Sequence, residues 1–197
     1  MRQKLFALLL VIAVLLCLGA CANNTAKPLT PAQKYLNSTS DEDLFNEFEK
    51  ACYIGTNGTM GFAKVSDISS DDLYRFANMT VDLDTMNKWY HDADQKYHIP
   101  LSDITALLDK YFEKYTFVPN GIKYISYYDE EKKELVATAL GGDMGAWNPS
   151  LVGKEAIGDN LIKIQFHDEY SPEYKIFITA KVTDTGIGFL SCIFTKQ

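Results

Sequence analysis

Hydrophobic and polar residues are distributed along this chain in three distinct ways. The first is a continuous apolar run, Leu5–Leu18, behind the basic start Met1-Arg2-Gln3-Lys4. The second, over 40–119, is helical in period. Leu44, Phe48 and Cys52 recur every four residues, with Ser40 as N-cap, acidic residues at 41–43 and Gly55 beyond the last turn, which predicts a helix near 41–54. Ser70 is placed to cap a second short helix with Leu73, Phe76 and Ala77 on one side. Ile104, Leu108, Tyr111, Phe112 and Tyr115 form one stripe and predict a helix from Ser102 to about Tyr115. Between them, Lys88–His91 and Lys96–Ile99 flank the polar turn "DADQ" and read as a hairpin. Met86, Trp89, Tyr90, Ala93 and Tyr97 equally suit a helix, which Pro100 would end.

The third regime, over 120–197, has period two. Tyr124–Tyr128 with Glu134–Leu140, and Leu151–Ile157 with Leu161–Glu169, read as hairpins. Tyr174–Val182 and Ile187–Thr195 follow across short turns. Ile162, Ile164 and Phe166 oppose Lys163, Gln165 and His167, so the predicted meander has one wet face. "IGFLSCIF" is apolar on both faces and predicts a central or covered last strand. Helices first and strands afterwards give an α+β class, with N-terminal helices packed on a C-terminal antiparallel β-meander in a single domain over 40–197.

The apolar run has the length of a signal-peptide core and is short for a membrane span. Its end, Leu18-Gly19-Ala20-Cys21, resembles the lipobox of bacterial lipoproteins: an aliphatic residue, two small residues, then cysteine. That resemblance implies a signal peptide over 1–20 and a Cys21 carrying a thioether-linked diacylglycerol, with two acyl chains such as palmitate on one residue. It places the chain on the extracytoplasmic face of the cell membrane, held by the lipid anchor. The polar stretch 22–39 then reads as a flexible tether with a reach of about 25 Å. Loss of Arg2 and Lys4 makes the net charge of −7 more negative by two. An acidic body without a Lys/Arg cluster excludes nucleic acid as a partner. The body, on "YHIPLSDITALLDKYF", "GDNLIKIQF" and "GIGFLSC", resembles uncharacterised surface lipoproteins of Gram-positive bacteria. This implies a fold style and a location, and no activity.

With Cys17 removed and Cys21 lipidated, Cys52 and Cys192 remain, either as a disulfide or as two buried thiols. Nucleophile-elbow, zincin, P-loop and dinucleotide motifs are missing, and no cofactor is expected. A calcium loop beginning at Asp82 fails at Asn87 and Ala93. In the hairpin reading His91 pairs with Lys96, and Trp89, His91 and His98 share a face. The imidazoles then sit diagonally at roughly 7–8 Å, too far apart for one ion, so no metal is expected. His167 lies at a strand end on the hydrophilic face. The long loop "ALGGDMGAWNPSL" carries Asp143, Met144 and Trp147, as a recognition segment or as a plug over the core. The leading functional expectation is a membrane-anchored binding or interaction module for an envelope, peptide or carbohydrate ligand. Trp147, Asp143, Met144, Trp89, His91 and His98 are its candidate contacts. A hydrolase of cell-envelope polymers and a structural envelope component are the alternatives.

Overall fold

Helix α1, Pro31–Ser38, begins at a capping box. The Gln33 amide donates to Thr30 Oγ1 at 3.3 Å, and the Thr30 amide donates to Gln33 Oε1 at 3.0 Å. Pro31 at the first helical position needs no partner for its nitrogen. Ala32 and Leu36 are buried, and the Ala32 amide donates to the Asp159 carbonyl at 2.9 Å. Residues 31–38, expected to belong to a flexible tether, are therefore helical and packed on the body. The computed structural model describes residues 27–56, 59–91, 93–140 and 149–197.

Ser40 caps α2, Asp41–Phe48, through its hydroxyl and the Asp43 amide, and a 3-10 turn, Glu49–Tyr53, continues the predicted stripe. Helix α3 spans Ser70–Thr80, but its cap is Ser69 rather than Ser70. The Ser70 hydroxyl instead accepts from the Val118 amide at 2.9 Å, tying α3 to the segment after the last helix. Asp82 caps α4, Leu83–Trp89, by accepting from the Thr85 amide. The alternative readings of 86–97 are each right in part: the helix ends at Trp89 and the hairpin starts at Tyr90. Helix α5, Leu101–Tyr111, stops four residues short of its expected end. Phe112 is extended and Lys114 adopts φ +59°. Tyr115 keeps its place on the core because the chain folds back, with its hydroxyl donating to Asp109 at 2.8 Å.

The strands form an α+β fold with two four-stranded antiparallel sheets and a two-residue ribbon, β1 (Gly55–Thr56) with β2 (Thr59–Met60). The larger sheet is the expected meander: β7 (Pro149–Ala156), β8 (Leu161–Asp168), β9 (Tyr174–Thr183) and β10 (Gly186–Lys196), in spatial order β10-β9-β8-β7. Ile162, Ile164 and Phe166, with Ile176, Ile178 and Ala180, are buried, as their alternation predicts. The hairpin β5 (Tyr127–Asp129) and β6 (Glu134–Ala137) does not join this meander. It pairs with β3 (Tyr90–His91) and β4 (Lys96–Pro100), in the order β3-β4-β6-β5. The helical and sheet parts thus interleave rather than dividing at residue 120. A turn tells which neighbour a strand doubles back on, but not which sheet its other edge joins.

β10 is the edge strand of the meander, not a central one. Of the two expected positions it takes the covered one. A bulge between Phe189 and Ser191 shifts the alternation, and Phe62 covers the free edge. The Phe62 amide donates to the Cys192 carbonyl at 2.7 Å, and the Cys192 amide donates to the Phe62 carbonyl at 2.9 Å. Such covering hides an edge from stray pairing. Gly61, at φ +84°, allows the approach: a Cβ there would lie 2.2 Å from the Cys192 carbonyl oxygen.

Candidate functional site

The small sheet has a strict division of faces. Ile99, Leu135 and Ala137 point into the core, and Tyr97 and Tyr128 pack against it. The register pairs His91 with Lys96, His98 with Val136, and both Val136 with Tyr127 and Glu134 with Asp129. The opposite face therefore carries His91, Lys96, His98, Glu134, Tyr127 and Asp129, charged or aromatic residues grouped around Val136. The turn that joins β3 to β4 adds Asp94 to this group. Its Oδ1 accepts from the Lys96 amide, and Gln95 takes φ +56° to reverse the chain.

His98 is the centre of the group. Its Nε2 lies 2.9 Å from Asp94 Oδ2, and its Nδ1 lies 3.3 Å from Glu134 Oε2. Both partners are acceptors, so a proton on each ring nitrogen satisfies them. The hydrogen bond to Asp94, reinforced by Glu134, raises the His98 pKa above the usual imidazole value against the opposing effect of burial. The same bond holds the Asp94 carboxyl below its ordinary range. His91 stacks on His98 with ring centroids 4.2 Å apart and planes 9° from parallel.

This corrects the expected separation. A diagonal spacing of roughly 7–8 Å describes the backbone positions of such neighbours, and long side chains close that gap by leaning together. The ligand atoms of His91, Asp94 and His98 all lie within 4.8 Å of one another. The expectation of no metal rested on that separation between two donors. Asp94 supplies the third. The turn "DADQ" held that signal in the sequence, since a carboxylate four residues before His98 is positioned by the turn itself.

No family model, curated protein or solved structure matches this chain. The site must be judged on its own geometry.

Trp89 does not belong to it. It ends α4, is 2% exposed, and its indole Nε1 donates to Asp103 Oδ2 at 2.9 Å, linking α4 to α5. Its expected place beside the histidines assumed a strand where the chain is still helical. Trp89→Ala is expected to lower stability by about 3 kcal/mol, from the lost indole packing and its hydrogen bond to Asp103. A urea melt with an unchanged slope measures it. A shift of only a few tenths of a kcal/mol would restore Trp89 to the surface.

Asp143, Met144, Trp147 and Cys21 lie outside the described residues. His167 sits on β8 opposite Ser150 and Lys175, on the wet face of the meander. Cys52 and Cys192 are free thiols, both buried, with sulfurs 4.0 Å apart. Burial, with the neighbouring sulfur, pushes the Cys52 thiol well above its ordinary value and makes it a poor nucleophile. A groove of about 660 Å³ runs between α1, the start of α2 and β7, lined among others by Leu29, Gln33, Asn37, Asp41, Lys154 and Glu155. Lys154 Nζ donates to Asp41 at 2.6 Å, and Lys163 lies 3.7 Å from Glu155.

Proposed function

We propose that this protein is a lipid-anchored extracytoplasmic binding module, attached to the cell membrane through Cys21. The observation that carries the anchoring is the stretch Leu18-Gly19-Ala20-Cys21 behind a basic start and an apolar run. Among the described residues no helix is long and apolar enough to cross a membrane, which is compatible with attachment by lipid. Only nine residues separate Cys21 from α1, so at full extension the link spans about 30–35 Å. The body would be kept within that distance of the headgroups.

Binding rather than hydrolysis is favoured by the state of the carboxylates. Asp41 and Glu155 in the groove each face a lysine, and Asp94 and Glu134 each face His98. A general acid needs a carboxyl whose proton is retained by an apolar surround, and the hydrogen bond to His98 instead holds Asp94 below its ordinary range. The His91–His98 face offers ring faces, carboxylates and a lysine to a ligand on a firm sheet.

Replacing Cys21 by alanine is expected to leave an unlipidated precursor. Cells fed a clickable palmitate should label the wild type and not the variant, and the variant should lose its membrane attachment. Equal labelling of both would end the lipoprotein reading.

A further inference from the structure

We propose that His91, Asp94 and His98 form a binding site for one divalent transition-metal ion of the zinc(II) or copper(II) kind. Two imidazoles and a carboxylate are the donor set such borderline ions prefer, and Mg²⁺ or Ca²⁺ would require more oxygens than are gathered here. The inference is independent of how the chain is anchored.

Three features of the geometry carry it. First, His98 Nε2 and Asp94 Oδ2 already converge at 2.9 Å. Two ligand atoms on a tetrahedral zinc lie about 3.3 Å apart, given metal–ligand bonds of about 2.0–2.1 Å. An ion entering there displaces the proton from Nε2 to solvent and needs little movement of either group. Second, Glu134 accepts from the other ring nitrogen of His98. A carboxylate behind the ligating histidine fixes the ring and raises the basicity of the nitrogen that faces the metal. Glu134 is in turn held by its place in the ladder, opposite Pro100 and Asp129. Third, the donor of His91 is already within 4.8 Å of the other two. Its ring must turn out of the stack, because an ion lies in the plane of each imidazole it binds and parallel planes share none. His91 is exposed, so solvent rather than packed side chains surrounds it during that turn. The fourth position faces solvent and would hold water or a ligand group.

A purely structural account gives His98 the role of an imidazolium bridge between the turn and β6. It explains Asp94 and Glu134. It leaves the stacked and exposed His91 without a task, and predicts that metal is ignored.

The test uses the full-length protein in detergent, with accessible thiols blocked by iodoacetamide, titrated calorimetrically with ZnCl₂ and separately with CuCl₂. Saturable binding of one ion per chain is expected, tighter for copper by the general order of divalent affinities. His91→Ala and Asp94→Ala should each weaken binding at least tenfold. Glu134→Gln, which touches no metal, should weaken it about tenfold or more by releasing the His98 ring. His167→Ala should bind as the wild type does. Zinc should also raise the thermal midpoint of the wild type and leave that of His91→Ala unmoved. His91→Ala alters an exposed side chain, so it keeps the test decisive if a change at His98 or Asp94 disturbs the turn. No saturable binding, or equal binding by His91→Ala and His167→Ala, would overturn the site and leave the bridge.

Discussion

Replacing Phe189 by alanine is expected to lower the stability of this protein by about 3–5 kcal/mol, the range for a fully buried aromatic cut back to a methyl group. Phe189 lies on β10 at the point where the helices meet the large sheet. Its ring stacks on Tyr111 at 5.6 Å and 9°. It meets Phe48 and Phe76 edge-on at 5.9 and 6.4 Å, and Phe112 at 6.1 Å. These partners come from α2, α3, and α5 with the residue after it. No single element can move inward to refill the cavity without leaving the others, so the loss should fall toward the upper end of the range. Phe189→Leu keeps most of the volume and should lose less than half as much. Urea denaturation of both variants checks this. A loss under about 1 kcal/mol for alanine would mean that the helices do not pack on this strand as described.

Oxidising Cys52 and Cys192 to a disulfide is expected to raise stability by about 4–5 kcal/mol, because the bridge would close a loop of about 140 residues in the unfolded chain. The sulfurs start 4.0 Å apart and need to approach to about 2.05 Å, a distance that side-chain rotation can supply. Both thiols are sealed, Cys52 on the buried side of the 3-10 turn after α2 and Cys192 at the Phe62 bridge. Oxidation of the folded protein should therefore be slow, and oxidation during folding fast. Thiol counting under denaturing conditions, with and without reductant, reports whether the bridge is present. A melt of the two forms reports its worth. Two unchanged thiols after refolding in an oxidising buffer would show that the core holds the sulfurs apart.

Much of this fold was legible residue by residue. Ser40 before three acidic residues, and the alternation in β8 and β9, are local signals whose meaning does not depend on the rest of the chain. The capping box Thr30-Pro31-Ala32-Gln33 was equally local, and outweighs the polar composition that made 22–39 look like tether. Period two fixes which face a side chain takes, and so placed Ile162, Ile164 and Phe166 in the core, whereas Phe189 and Cys192 share it only because a bulge shifts the alternation between them. It says nothing about partners. That β6 pairs with β4 from across α5, that β10 ends at an edge covered by Phe62, and that Trp89 closes a helix against Asp103 were settled by packing among elements distant in sequence. The candidate site divides in the same way. The turn that carries His91, Asp94 and His98 was legible at "DADQ", but the lean of the two rings onto each other was not, so the sequence set the imidazoles too far apart. Glu134 arrives from a strand 36 residues later, and only the tertiary pairing of that strand puts a carboxylate behind the His98 ring, because a hydrogen bond across a sheet depends on register that no local pattern encodes.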